Sequence, residues 1–546
     1  MAASLSNNFQ HSNSLLMAVI GGDTYFPKFY LVGVWASGQD CIQFWGVFVA
    51  IAVALFTAAL DLTAVSTALP TIVNDLHGSQ FVWVGSAYAL SATAFLPMSG
   101  GLAQVFGRRA PMLGSLFLFA LGSALCGAAT SMNFLIAART IQGVGGGGIQ
   151  SLAQIILSDM IPLRERGFFN GLIGVAWSLA NATGPLIGGA LAQNGAWRWL
   201  FYLNLFTSGG SAILVSLLLN LKTPEGTIHE KLARMDWIGN FLVISSSSAV
   251  VIALTWGGIQ FPWSSGRVLA PLVLGLVGLV GFMAYEATLA KHPIVPFSLI
   301  TTRTGLSGYF QTVLMPIVML AFNYYQPVWF QACKGASPIR SGVLLLGASL
   351  IGAPAGILAG ATVAKTNRYR PQIWISWALL IIACGLFTRL QTTTSSGSAI
   401  GFEIIIAVGI GALSTTTYFP VLAPLPLSAN APALAFFTFL LTIGGAVLQN
   451  ELVRRLPDQF KVLFPQDAEI AYSAIPLIHT LPEPLRSAVR TAFADGLRTM
   501  WFVLIGISAL GLVCSLLMKA LPLHTKTDDD WGVALNRTPE LGVDPA

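Results

Sequence analysis

The sequence predicts an all-α polytopic membrane protein, and three observations lead to that class. Only 9% of the 546 residues are charged and 55% are hydrophobic, whereas soluble domains carry roughly 25% charged residues. Apolar runs of about twenty residues, the length at which a helix spans a bilayer, follow one another along the chain. Basic residues concentrate in alternate loops between these runs, as they do in membrane proteins with several spans.

Fourteen apolar runs can be placed, and charged residues or Gly and Pro separate them. They cover residues 44–70, 83–103, 112–129, 134–156, 168–191, 199–221, 237–256, 268–289, 305–330, 341–363, 373–390, 401–423, 432–452 and 499–521. Six runs, a polar break, a pair of runs and six further runs predict two six-helix bundles around a central cavity, with two extra helices between them.

This grouping divides the chain into five predicted parts. They are an amino-terminal tail (1–43), a first six-helix bundle (44–221), a linker with the two extra helices (222–304), a second six-helix bundle with a long outer loop (305–522, loop 453–498) and a carboxy-terminal tail (523–546). An even number of spans leaves both tails on the same side of the membrane. The loops rich in basic residues lie on that side too, and such loops face the cytosol, so both tails are predicted to be cytosolic. The end of the long loop, LRSAVRTAFADGLRTMW, is predicted to be an amphipathic helix on the outer surface.

The first run contains one ionisable residue, Asp61. A charge at this depth costs several kcal/mol unless it is paired, hydrated or protonated, and such residues usually mark functional sites. Its neighbours at helical spacing include Ala58, Ala64 and Val65, so this face is expected to meet another helix or water and not lipid. A purely structural carboxyl group that a neighbouring helix satisfies is the alternative.

The fourth run contains a second ionisable residue, Arg139, and Gln142 lies three residues further along nearly the same helix face. Because the first and fourth runs cross in opposite directions at ~1.5 Å per residue, Asp61 and Arg139 both fall in the outer half of the membrane. They are therefore able to pair. Either Asp61 loads and releases a proton as its access to water changes, or the two residues form a permanent brace.

Glycine marks three further places. Residues 145–148 are four consecutive glycines inside the fourth run, and they predict a close helix contact, since no Lys follows as a phosphate-binding loop requires. The fifth run contains Gly184, Pro185, Gly188 and Gly189, which predict a tight hinge on the outer side. A short cytosolic turn between the second and third runs holds Gly107, Arg108 and Arg109, whose guanidinium groups are expected to reach helix carbonyls or acidic partners.

Several classes of function are excluded by the same sequence. The five cysteines are scattered singly, which predicts no disulfide framework and no metal site. The basic residues form no stripe with interleaved aromatic residues, so no nucleic-acid binding is expected. We expect no enzyme activity and no cofactor, because no soluble segment is large enough for a nucleotide site and no nucleophile is paired with a base. A channel or receptor is a remote alternative.

The expected partners are a small molecule, protons and the lipid bilayer, and the expected state is a monomer.

Four motifs resemble, in order and spacing, those of the fourteen-helix drug:proton antiporter branch of the major facilitator superfamily. They are LDLTAVSTALP from Leu60, GGLAQVFGRR from Gly100, LIAARTIQGVG from Leu135 and ATGPLIGG from Ala182. The stretch YYQPVWFQACKGASPIRSG from Tyr324 is similar to fungal members of this branch. The chain departs from the family pattern at Gln104, where an acidic residue is usual, at Ser66, where asparagine is frequent, and at Ala180, where glycine is expected. Its thirteenth run also lacks an internal block.

The resemblance implies the major facilitator fold and a role for each motif. Asp61 and Arg139 take the places of the residues linked to proton transfer. Gly184, Pro185, Gly188 and Gly189 match the motif associated with exporters. Gly100, Gly107, Arg108 and Arg109 match the cytosolic gating loop.

The expected function is therefore proton-coupled export of small amphipathic molecules such as drugs, toxins or secondary metabolites, across the plasma membrane or, as the alternative, the vacuolar membrane. Siderophores or basic amino acids are the alternative cargo. Beyond Asp61, only Glu403 and Glu286 lie in or near the spans as acidic candidates, and both are expected at the membrane interface. The candidates for the substrate cavity, each of which has simple packing as its alternative, are Gln142, Trp177, Asn181, Asn323 and Tyr324.

Overall fold

A computed structural model describes residues 38–76, 82–219, 227–257, 261–291, 293–295, 301–426, 429–445, 478 and 481–525. Within these ranges the chain forms helices and no strand, and one isolated β-bridge joins Gly257 to Phe261. The described residues divide between two units, one that ends at Trp45 and one that begins at Gly46, and the packing below is that of the second.

The first six long helices follow the first six predicted runs. They are α1 (Gly38–Asp75), α2 (Val82–Phe106), α3 (Arg109–Gly127), α4 (Met132–Met160), α5 (Leu163–Gln193) and α6 (Arg198–Leu218). A short helix with a capping box, α7 (Ile228–Ala233), precedes the extra pair, α8 (Trp237–Trp256) and α9 (Gly266–Thr288).

The second set of six begins with α10 (Arg303–Lys334). It continues with α11 (Pro338–Thr366), α12 (Arg370–Phe387), α13 (Ser396–Thr416), the short α14 (Tyr418–Leu422), α15 (Asn430–Gly445) and α16 (Leu485–Leu516). Each of the fourteen predicted runs thus falls on a helix, although residues 220–221 of the sixth run and 446–452 of the thirteenth lie outside the described ranges.

Eleven helices of the described residues are long and apolar enough to cross a membrane. The helices that fall short are α4 and α5, whose apolar residues are diluted by glycine and amides, and α15, whose described part has 16 residues. Dilution is the expected signature of helices that face protein on most sides, since buried surfaces in membranes favour small and polar residues.

One expectation is corrected in the last helix. The segment predicted to be a separate amphipathic helix on the outer surface is continuous with the final span, because α16 runs without interruption for 32 residues. Its apolar side chains, among them Val489, Phe493 and Leu497, are buried against protein, which explains the amphipathic pattern without a membrane surface. The outer loop predicted at 453–498 is shorter by this helical part, and residues 451–477 lie outside the described ranges.

The two sets of helices meet mainly along α5 with α11 and α2 with α15. A methyl group added to Gly171 would lie 2.7 Å from the Ile357 Cα atom, and one added to Gly100 would lie 2.8 Å from the Ala435 Cβ atom. Both contacts are at the ends predicted to be cytosolic, where the Arg164 Nε atom also donates to the Ala364 carbonyl oxygen over 2.8 Å. Small residues therefore close this end.

Candidate functional site

Asp61 of α1 is buried, with 3% of its surface exposed, and it accepts hydrogen bonds from three side chains. Its Oδ2 atom accepts from the Arg139 Nη1 atom in a close ion pair. Its Oδ1 atom accepts from the Gln142 Nε2 atom at 2.9 Å and from the Asn204 Nδ2 atom at 2.8 Å. The predicted pairing of Asp61 with Arg139 is thus present, and every donor that reaches the carboxylate comes from α4 or α6.

Arg139 is held in place by groups other than Asp61. Its Nε atom donates to the Val84 carbonyl oxygen of α2 at 3.0 Å, and its Nη1 atom also donates to the Gln142 Oε1 atom at 2.7 Å. The guanidinium carbon lies 4.5 Å from the centre of the Tyr88 ring, within range of a cation–π interaction. The guanidinium group is therefore fixed by α2 and α4 and would keep its position if the carboxylate moved.

Gln142 connects the ion pair to α3. Its Nε2 atom donates to the Ser123 Oγ atom at 2.8 Å as well as to Asp61. Gln142 is completely buried, so in this conformation it belongs to the carboxylate network and does not line open space, in contrast to the expectation that placed it in the substrate cavity.

Asn204 was not identified from the sequence, although it lies in the apolar run of α6 and makes one of the three contacts to Asp61. As a neutral residue it gives no charge signal. The depth of Asn204 in the membrane is the signal that identifies it. Asn204 is the seventh residue of α6 and Arg139 is the eighth of α4, and both helices start on the predicted outer side, so the two residues lie at similar depth.

The glycines of α5 lie against α1 directly after Asp61. A Cβ atom added to Gly184 would collide with Thr63, and one added to Gly188 would collide with the Ala64 carbonyl oxygen, whereas at Gly189 it would lie 3.8 Å from the Thr67 Cγ2 atom. The Thr63 hydroxyl group donates to the Ala180 carbonyl oxygen at 3.1 Å. The prediction that these glycines allow a close backbone approach agrees with this packing, and the partner is the helix that carries Asp61.

Pro185 lies inside α5, which continues on both sides of it. Its predicted role with the glycines as a hinge stays a prediction.

The turn predicted to be cytosolic contains the contacts expected of it. Gly107 has φ +79°, a conformation that residues with a Cβ atom rarely adopt. The Arg108 Nε atom pairs with the Asp159 Oδ2 atom at the end of α4 over 2.7 Å, and its Nη1 atom donates to the Ala103 carbonyl oxygen at 3.0 Å. Arg109 donates to the Ser216 carbonyl oxygen of α6. The turn thereby joins α2, α4 and α6 at one end of the bundle.

The remaining cavity candidates lie apart from the Asp61 network. Asn181 of α5 and Asn323 of α10 are exposed, and Trp177 is half-buried. The side chain of Tyr324 lies outside the described ones. Asn181 and Asn323 therefore each expose a side-chain amide, one on a helix of the first set of six and one on a helix of the second set.

Glu403 and Glu286, both expected at the membrane interface, have side chains that are buried inside the protein. Glu403 has no exposed surface, and its Oε1 atom accepts a hydrogen bond from the Gln326 Nε2 atom of α10 at 2.8 Å. Glu286 is 5% exposed and accepts from the Val295 backbone nitrogen at 3.1 Å. Their positions near helix ends carry no information about which way each helix face turns.

Comparison with known proteins gives a consistent result. The model of the Major Facilitator Superfamily matches residues 51–448. The MFS-type efflux pump LUC4 of Fusarium sp is 40% identical over 518 residues, with 91% of each chain covered. The acurin A biosynthesis cluster MFS-type transporter of Aspergillus aculeatus is 38% identical, covering 92% of this chain and 94% of the relative.

Among solved structures, the proton:xylose symporter XylE has a TM-score of 0.57 at 12% identity, covering 89% of this chain and 98% of the symporter. This likeness concerns the fold alone. With the family model spanning most of the helices and relatives that match over nine-tenths of their length, the chain belongs to the Major Facilitator Superfamily and is an integral multi-pass membrane protein.

Proposed function

We propose that this protein exports small amphipathic organic molecules, such as fungal secondary metabolites or toxins, in exchange for protons. Relatives that match most of the chain are named efflux pumps, and one is named for a biosynthesis cluster. The plasma membrane is the proposed location, with the vacuolar membrane as the alternative, and both termini are proposed to be cytosolic.

The observation that carries the proton coupling is the buried pair of Asp61 and Arg139. The carboxylate has a donor on each oxygen atom, which stabilises its ionised form, while burial in a medium of low dielectric constant opposes a charge that loses its partner. A proton is therefore expected to bind Asp61 when α1 moves away from the guanidinium group, which stays attached to Val84 and Gln142. Protonation and movement of α1 are thus coupled.

The packing around the pair supports a link to the rest of the transporter. Gly184 and Gly188 hold α5 against α1 close to Asp61, and the opposite part of α5 contacts α11 through Gly167 and Gly171. A displacement of α1 thus reaches the contact between the two bundles through a single helix. This connection gives the exporter motif a physical role in the proposed cycle.

The exposed amides support a cavity on the predicted outer side. An asparagine that faces lipid would leave polar groups without hydrogen bonds, at a cost of several kcal/mol. Asn181 and Asn323 are exposed, and we therefore assign them to a water-filled space between the bundles. Since the bundles contact each other at the cytosolic ends, this conformation is assigned as open to the outside.

The proton gradient supplies enough energy for this exchange. A difference of one pH unit contributes ~1.4 kcal/mol per proton, and a potential of 100 mV adds ~2.3 kcal/mol. At ~1.4 kcal/mol per tenfold concentration ratio, one proton sustains an export gradient of roughly several hundred.

Transport in everted membrane vesicles tests the proposal. Vesicles with an imposed pH gradient are expected to accumulate a fluorescent amphipathic substrate, and collapse of the gradient or the Asp61→Asn substitution is expected to abolish accumulation. Asp75→Asn is the matched control, because Asp75 lies on the same helix in a solvent-exposed pair with Arg198. Gradient-driven accumulation by Asp61→Asn at the level of the control would refute coupling through Asp61.

A further inference from the structure

The buried glutamate of the second bundle occupies the position that corresponds to Arg139 in the first. Arg139 is the eighth residue of α4, the fourth helix of its bundle, and Glu403 is the eighth residue of α13, the fourth helix of the other. Asp61 is the 24th residue of α1, and Gln326 is the 24th residue of α10, which are the first helices of the two bundles. Both pairs join side chains across these helices.

The two sites differ in how their carboxyl oxygens are satisfied. Both oxygens of Asp61 accept hydrogen bonds, and a cation stands beside them. At Glu403 the Oε1 atom accepts from the Gln326 amide, but the Oε2 atom is buried without a hydrogen-bond partner. The Gln326 Oε1 atom is also buried without a partner. An ionised Glu403 would thus leave two acceptors buried with no donor, an arrangement that proteins avoid because each such group costs about 1–3 kcal/mol.

No cation offsets a negative charge at Glu403 in the part of the chain that the structure describes. The helices packed against α13 are α5, α10, α11 and α12. The charged residues of these helices lie near helix ends and are Arg164, Glu165, Arg166, Arg303, Lys334, Arg340, Lys365 and Arg370. Their other titratable residues with described side chains are Tyr309, Tyr325, Cys333 and Cys384. None of these residues pairs with Glu403.

We propose that Glu403, paired with Gln326, is a second proton-binding site and carries its proton in this conformation. The proton comes from water and forms an O–H bond at the Oε2 atom. That hydroxyl group donates to the Gln326 Oε1 atom while the Gln326 amide donates to the Glu403 Oε1 atom, so one proton satisfies both unpartnered oxygens. The acid and the amide then form a two-hydrogen-bond pair between α10 and α13.

The first and fourth helices of each bundle therefore share one buried carboxyl group, which lies in an ion pair at Asp61 in the first bundle and is neutral at Glu403 in the second. Separation of α10 from α13 would remove the amide partner and open Glu403 to water, which favours release of the proton. As a part of transport, the site rests on the proposed proton exchange. Its occupancy is a property of the resting protein and does not depend on Asp61.

Infrared spectroscopy of the purified full-length protein in lipid nanodiscs tests the assignment, since protonated carboxyl groups absorb apart from carboxylates. At neutral pH, Glu403→Gln is expected to remove the absorption of one protonated carboxyl group, and the exposed Glu230→Gln control is expected to keep it. A Glu403→Gln spectrum that matches the unsubstituted protein would overturn the proposal.

Gln326→Met provides an independent test that keeps Glu403 in place. It is expected to shift the same absorption, because the hydroxyl group loses its acceptor, and an unshifted absorption would contradict the acid–amide pair. Asp61→Asn is expected to retain the absorption of Glu403. Transport by Asp61→Asn in vesicles is measured separately, so the proposed function and the second site can fail independently.

Discussion

Replacing Asp61 by asparagine is the perturbation whose cost follows most directly from the structure. The substitution keeps the shape of the side chain and removes the negative charge, so Arg139 remains buried and loses its counterion. Breaking a buried ion pair by removing one partner costs about 3–5 kcal/mol. Arg139 retains the Val84 carbonyl oxygen, the Gln142 amide oxygen and the Tyr88 ring, which favours the lower end of that range. We expect this conformation to lose about 3 kcal/mol of stability, which lowers its population by a factor of roughly 100.

A double-mutant cycle separates the ion pair from other effects of the substitution. Asp61→Asn and Arg139→Met are each expected to destabilise the protein, whereas the double variant is expected to recover most of that loss, because no unpaired charge remains. The measurement is thermal unfolding of the full-length protein in nanodiscs, for the four proteins side by side. If the two single effects simply add, the pair contributes no coupling and the argument for a coupled proton at Asp61 fails.

Three further predictions concern single positions. Asn204→Leu removes a hydrogen bond to a buried carboxylate and is expected to cost about 1.5–3 kcal/mol, which a lowered unfolding temperature would register; an unchanged temperature would contradict its assignment to the site. Gly188→Ala is expected to reduce both stability and transport, because the added Cβ atom would collide with the Ala64 carbonyl oxygen. Gly189→Ala is expected to leave both unchanged, because its Cβ atom would lie 3.8 Å from the Thr67 Cγ2 atom. Burial, and then a nearby arginine, lowers the pKa of His524 below its ordinary 6.5, so the unfolded chain takes up a proton first and stability falls as the pH drops below 6.5. His524→Gln is expected to flatten that decline in an unfolding series from pH 7 to pH 5.

The helices were predictable because span length, hydropathy and charge bias act locally along the chain. All fourteen runs fall on helices, and the pairing of Asp61 with Arg139 followed from their depths in antiparallel helices. The close packing expected of glycines 145–148 is also present, since added Cβ atoms there would collide with α2 or α3. These predictions needed only the distance of a residue from the start of its helix.

Predictions failed where the rotation of a helix about its axis decided the outcome. Glu403 lies near a helix end, as expected, but its side chain turns into the bundle, and depth alone does not distinguish that from the interface. The amides were the other gap. Asn204 and Gln326 carry no charge, so neither stands out in an apolar run, yet each contacts a buried carboxyl group. An amide in a span at the depth of an ionisable residue is the signal that identifies such partners.

The glycine contacts divide most of the first bundle into two tightly packed groups of helices, here called plates: α2, α3 and α4 in one, and α1 and α5 in the other. Glycines 143 and 145–148 hold α4 against α2 and α3, and glycines 184 and 188 hold α5 against α1. Within each plate the helix backbones are too close to slide past each other without steric collision. The Asp61–Arg139 contact, in contrast, crosses the boundary between the two plates. A motion that preserves the glycine contacts would have to separate the two plates along this boundary. Breaking the Asp61–Arg139 ion pair would then release α1 and α5 together.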